Sequence, residues 1–136
     1  MKIILDAMGG DNAPEATIKG AVKAIKEIDS EIILVGNEEK INNKVKELYG
    51  KKDIKEISNR ITIHNTTEEI TMEDIPTQAI KHKKDSSMVV GFKLLKEGEG
   101  DVFVSAGNSG ALLTGATLLV GRIKGVDRPA MAPMLP

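Results

Sequence analysis

The apolar positions along the chain follow two alternating patterns. Ile3-Ile4-Leu5 is an unbroken apolar run closed by a carboxylate, and it predicts a strand from Ile3 to Asp6. Beyond it, Ile18, Ala21, Val22, Ile25 and Ile28 recur three and four residues apart, the stripe of an amphipathic helix, with Pro14 placed for its first turn. Glu31 to Val35 predicts a second strand, stopped at Gly36-Asn37. Ile41, Val45 and Leu48 mark a second helix ending near Gly50, and Arg60 to His64 a third strand. A loop follows. Val89, Phe92 and Leu95 form the inner stripe of a helix from Ser87 to Glu97. Next come a fourth strand, Asp101 to Ser105, and a helical pattern starting near Leu112. The order is βαβα, β, loop, αβα. Apolar strands that do not alternate are buried on both faces, so the expected fold class is α/β, three layers with a mainly parallel sheet and right-handed crossovers.

Val102 to Gly121 is a run of twenty uncharged residues. By length it reaches the threshold for crossing a bilayer, but the turn at Ser105–Gly110 divides it into a short strand and a helix, neither of which spans. The run is read as buried core and not as a transmembrane helix, and its helical part, Ala111 to Gly121, as core in preference to a dimer interface. The start of the chain is a strand and not a leader, because Asp6 ends the apolar stretch far below the length of a secretory signal.

Composition narrows the functional classes. A formal charge of -1 provides no global field for nucleic acid, and three aromatic residues, Tyr49, Phe92 and Phe103, are too few for a base-stacking platform. With no cysteine there is no disulfide framework, thiolate metal site or catalytic thiol, and two histidines alone make no zinc site. A reducing cytoplasm fits this cysteine usage.

The candidate chemistry lies in two loops of similar make. Ser105-Ala106-Gly107-Asn108-Ser109-Gly110-Ala111 joins the fourth strand to the last helix, and Asp6-Ala7-Met8-Gly9-Gly10-Asp11 joins the first strand to the first helix. Glycine allows close backbone approach to a ligand, and a helix start offers unpaired N–H groups with partial positive charge. In parallel sheets ligands lie at the carboxyl ends of the strands, where both loops fall, so the two are expected to share one anion site. Its candidate residues are Gly9, Gly10, Ser105, Gly107, Asn108, Ser109 and Gly110. A second reading stays open, in which Asn108 and Ser109 only cap a buried helix and the glycines only permit tight turns. Asp6 and Asp11, as anions, are suited to shaping loops or orienting cations. Lys81-His82-Lys83-Lys84 is the one local basic cluster, either a solvated face or a docking surface. His64 is read as structural. Arg128 to Pro136 is expected to be a linker turning into an apolar strand that is cut off as it enters the sheet.

Four motifs in order along the chain carry a family resemblance. Asp6-Ala7-Met8-Gly9-Gly10-Asp11 with Pro14 comes first, then Met72, Asp74 and Pro76 ahead of Lys83-Lys84-Asp85-Ser86-Ser87-Met88. Ser105 to Ala111 and Arg128-Pro129-Ala130 complete the set. Together they resemble the PlsX family of phosphate acyltransferases in bacterial phospholipid synthesis. The resemblance implies a longer protein of which residues 1–136 are the N-terminal part of one α/β/α domain, with a fold similar to isocitrate and isopropylmalate dehydrogenases. It also implies a homodimer that moves a fatty acyl group from acyl carrier protein to inorganic phosphate without metal or nucleotide cofactor. Location would be cytoplasmic, with peripheral membrane association and no transmembrane segment. Ser109 stands where the family pattern has Thr, which keeps the hydroxyl. Lys81 stands where it has Arg, replacing a bidentate fork by a point charge. Phosphate and an acidic carrier protein would both favour Lys81, Lys83 and Lys84 as a docking surface. His82 is a minor proton-carrier candidate, since a thioester thiolate leaves readily, and the catalytic residues are unassigned. Two alternatives of other classes remain: a metal-dependent dehydrogenase of similar fold, and a non-catalytic piece that binds carrier protein or self-associates.

Overall fold

The computed structural model describes residues 1–135. Its strands are β1 (Lys2–Asp6), β2 (Glu31–Gly36), β3 (Ile61–Asn65) and β4 (Val102–Val104). Its helices are α1 (Glu15–Glu27), α2 (Glu38–Leu48), α3 (Lys51–Ser58), α4 (Pro76–His82), α5 (Ser87–Lys96) and α6 (Ser109–Gly115), the last continued by a π-helical turn, Ala116–Val120. All strand pairs are parallel, in the order β3-β2-β1-β4, with Ile3 opposite Ile32 and Val102, and Ile32 opposite Ile61. The chain steps outward from β1 to β2 to β3, then returns to place β4 on the other side of β1. In open parallel sheets a ligand crevice lies at such a reversal, here the carboxyl ends of β1 and β4.

Successive strand residues point to opposite faces, and both faces are covered. Ile32 and Leu34, with Ile3 and Leu5 beside them, pack under Ile18, Val22 and Ile25 of α1, Ile41 of α2 and Ile57 of α3. Ile4 and Val35 face the other way, onto Val90 and Leu94 of α5. This gives the three-layer α/β/α arrangement expected from the pattern. Beyond α5 lies a further cluster in which Ile80 of α4, Met88, Val89 and Phe92 of α5, and Ala111 of α6 meet.

Local signals place most boundaries. The Asn37 side chain accepts from Lys40 N at the start of α2, and the Ser86 side chain accepts from Val89 N at the start of α5. The Arg60 guanidinium donates to the carbonyls of Ile25, Ile28 and Ser30, closing the end of α1.

Several expectations change. The helices α3 and α4 were not foreseen. The first is mostly charged, with Ile54 and Ile57 its only large apolar residues, and the second is seven residues long, so neither has enough turns to show a period. Ile28 lies beyond α1 and is exposed. The stripe expected for α5 is too narrow, because Ser87 through Phe92 and Leu94 are all buried between the sheet and α6. The uncharged run is not simply core. Ala111 and Gly115 are buried, whereas Val102, Val104, Leu118 and Val120 are exposed. The reason is topological: β4 is an edge strand, paired among the described residues only to β1, and α6 meets α5 through a narrow face of small residues. No strand forms over residues 122–135, and Pro136, the last residue of the expected strand there, lies outside the described residues. Among the described residues no helix is long and apolar enough to cross a membrane.

Candidate functional site

The loop after β1 and the loop after β4 meet in the crevice at the strand-order reversal. A Cβ on Gly9 would lie 2.6 Å from Asp6 Oδ2, 2.9 Å from Gly107 N and 3.0 Å from Ser105 Oγ, so only glycine allows the two backbones to close on each other. Gly10 lies against Ala106 with φ +103, a left-handed conformation that glycine adopts without penalty. Gly9, Gly10, Ser105 and Gly107, proposed separately from two distant stretches, are thus neighbours.

Beneath them sits Asp6, only 2% exposed. Its Oδ1 accepts from Ser87 Oγ at 2.6 Å and from Met8 N at 3.1 Å; its Oδ2 accepts from Ser105 Oγ at 2.7 Å. Ser105 Oγ in turn accepts from Gly107 N at 3.1 Å. The carboxylate meets hydroxyl and N–H donors and no side-chain cation, consistent with the loop-shaping role read from the sequence. Ser87 opens α5, whose positive end adds favourable charge. Ser87 was not singled out as a site residue in the sequence, because nothing local connects it to a residue eighty-one positions earlier.

The hydrogen bonds divide the candidates. Ser105 and Gly107 line the crevice, but the hydroxyl of the first and the N–H of the second are directed inward. The Asn108 side chain is buried and fully occupied. Its Oδ1 accepts from Ala111 N at 3.0 Å, and its Nδ2 donates to the carbonyls of Thr71 and Asp74, each at 3.1 Å. It caps α6 and straps the preceding loop onto it, so it is not a free side-chain ligand. Gly110 backs onto Pro76: an added Cβ would meet Pro76 Cγ at 2.7 Å. Its missing side chain makes room for α4, not for a ligand. Ser109 is exposed, and the N–H groups of Ser109 and Gly110 have no acceptor among the described residues. The donors open to a ligand are therefore these two N–H groups and the Ser109 hydroxyl, at the end of the loop that packs on Gly9 and Gly10 through Ser105, Ala106 and Gly107.

The basic cluster splits in the same way. Lys83 Nζ donates to Asp74 Oδ2 at 2.6 Å and to the Glu69 carbonyl at 2.8 Å, and so closes the loop of residues 66–75. Lys83, followed by Thr71 N, holds the Asp74 carboxyl below the usual carboxylate range. Lys83 is a strap and not an open charge, whereas Lys81 and Lys84 are exposed. The same loop is held again where Thr67 N and Oγ1 donate to Asp85 Oδ2. His64 and His82 are both exposed.

A cleft of about 530 Å³ opens at the opposite, amino ends of the strands, lined by Met1, Lys2, Asp29, Ser30, Glu31, Arg60 and Asp101. Its most prominent cation, Arg60, is engaged by three backbone carbonyls. The glycine loops, with open N–H donors at the strand-order reversal, are the stronger candidate.

Residues 1–136 match the family described as fatty acid synthesis protein. Among curated relatives, the phosphate acyltransferase of Acetivibrio thermocellus is 57% identical, that of Alkaliphilus oremlandii 55% and that of Clostridioides difficile 46%. Each alignment covers 100% of this chain, but only 39% of the relative for the first two and 38% for the third. The chain thus spans about two-fifths of the length of these relatives.

Proposed function

This chain belongs to the fatty acid synthesis protein family, and from that membership we propose that it is the N-terminal part of a phosphate acyltransferase. Its glycine crevice would hold inorganic phosphate, or the phosphate end of the product, while a fatty acyl group arrives as a thioester on acyl carrier protein. A phosphate oxygen attacks the thioester carbonyl, the C–O bond forms, and the carbon–sulfur bond breaks to release the carrier thiolate. No covalent enzyme intermediate is needed. The requirement is for phosphate held in line and for donors facing the oxygens where charge develops. The packing of Gly9 and Gly10 against Ser105, Ala106 and Gly107, in the loop that leads to the open N–H groups of Ser109 and Gly110 at the strand-order reversal, carries this reading. Backbone N–H groups suit it because they bind an anion without the reorganisation that a long side chain requires.

The rest of the reading follows the family. The whole protein acts as a homodimer in the cytoplasm, associates peripherally with the membrane, and needs neither metal nor nucleotide. Lys81 and Lys84 receive the acidic carrier protein. Family membership favours acyl transfer over the dehydrogenase alternative, and turnover separates it from the non-catalytic one. The test is to supply the full-length polypeptide that contains this chain with acyl carrier protein thioester and phosphate, and to trap acyl phosphate with hydroxylamine. Phosphate-dependent hydroxamate is expected. Its absence, or thermal stabilisation by dinucleotide plus divalent metal in place of phosphate, would overturn the reading.

A further inference from the structure

Both glycine loops hang from one carboxylate. Asp6 touches the first loop through Met8 N at 3.1 Å and the second through Ser105 Oγ at 2.7 Å, which passes the contact on to Gly107 N at 3.1 Å. A third arm, Ser87 Oγ at 2.6 Å, anchors the same carboxylate to the start of α5. With Asp6 buried and no cation on it, hydrogen bonds are what fix it, and the carboxylate can only accept. Acceptance by Oδ2 forces the Ser105 hydroxyl to point its proton inward. The lone pairs of that hydroxyl are then left to receive Gly107 N–H. This polarity runs in one direction, from Gly107 N–H through Ser105 to Asp6, and an added Cβ on Gly9 would fall 2.6 Å from Oδ2, so the loops close only around glycine there.

We propose that Asp6 is a positioning residue for anion binding: through Ser105 and Gly107 it sets the separation and orientation of the two glycine loops, without itself touching the ligand. This rests on the phosphate reading above. A neutral amide in its place presents a donor toward one of the hydroxyls, so the ordered polarity is lost while the shape is kept. Arg60 supplies the stability control, because its bonds to the Ile25, Ile28 and Ser30 carbonyls lie at the opposite, amino ends of the strands.

The test uses the full-length polypeptide with Asp6→Asn, Ser105→Ala, their combination, and Arg60→Met. Each is measured for melting temperature, for kcat and for KM toward phosphate per folded molecule, and for amide hydrogen exchange at Met8 and Gly107. Asp6→Asn and Ser105→Ala should each raise KM for phosphate about tenfold or more, the size of effect that small misplacements of a binding group produce. The double variant should be little worse than either, as for groups acting in series. Gly107 exchange should accelerate in both, and Arg60→Met should lower the melting temperature while leaving KM and Gly107 exchange nearly unchanged. The proposal is overturned if Asp6→Asn lowers stability alone and leaves KM unchanged, or if Arg60→Met moves KM as much as Ser105→Ala does. If the wild type forms no acyl phosphate, the acyltransferase reading fails separately. Gly107 exchange then still decides whether Asp6 holds the second loop, and unchanged exchange in Asp6→Asn overturns the inference by itself.

Discussion

Asn108 shows how one residue satisfies two readings in unequal measure. An Asn ahead of a helix was open to two interpretations, ligand or cap, and its side chain serves the cap and the strap to Thr71 and Asp74, leaving no polar atom for a ligand. Asn108→Ala would remove one capping bond and leave two part-buried carbonyls without donors, a loss of about 1–3 kcal/mol of stability. Gly110→Ala puts a methyl against Pro76 and should destabilise the α4–α6 contact as well. Both variants are therefore expected to lower the melting temperature of the full-length protein. Kinetics per folded molecule should change less. Denaturation curves beside phosphate titrations check this, and a large rise in KM at unchanged stability would return the Asn108 side chain to the ligand.

At the scale of elements, the segment from Thr66 to Ile75 is a loop held by side chains from its neighbours. Asp74 and Lys83 form its central tie, with Lys40–Glu69 and Thr67–Asp85 as outer ties. The Asp74 carboxyl is depressed in the folded state, chiefly by its hydrogen bond to Lys83, so the folded form binds that proton less readily than the unfolded form. The tie therefore stabilises the loop above the unfolded carboxylate range, about pH 4. It is lost as pH falls through the lowered folded value. Limited proteolysis or amide exchange over residues 66–75 should show the loop loosening below about pH 4 while the sheet stays protected. Lys83→Met should produce the same loosening at neutral pH. A loop that is equally protected in that variant would show the tie to be incidental.

For the whole molecule, a formal charge of -1 means that no long-range field steers an acidic partner, so any electrostatic docking must be local. The exposed Lys81 and Lys84 are the available charges of the cluster, Lys83 being neutralised by Asp74. Under the proposed acyl transfer, replacing both by Ser in the full-length protein should raise KM for acyl carrier protein and flatten its dependence on salt, since exposed charges are screened beyond about 8–10 Å. KM for phosphate should hold steady. An equal rise in KM for phosphate would move these lysines into the anion site, and no change in either constant would make them a solvated face.

The chain's own pattern was enough to predict the layered parallel architecture, four strands, the helices α1, α2 and α5, and the two glycine loops. Runs such as Ile3-Ile4-Leu5 and stripes such as Ile18-Val22-Ile25 encode burial through local periodicity. Elements too short to repeat were invisible, as with α3 and α4, whose helicity comes from packing Ile57 and Ile80 into clusters built by other segments. Exposure of the uncharged run was likewise hidden, because it follows from β4 lying at the sheet edge, a fact of strand order and not of composition. The site divides the same way. Glycine content named the loops, but which N–H groups stay open was decided by partners far away in sequence: Asp6 for Ser105, Pro76 for Gly110, and the Thr71 and Asp74 carbonyls for Asn108. Hydrogen-bond capacity belongs to a residue, whereas its satisfaction belongs to the fold.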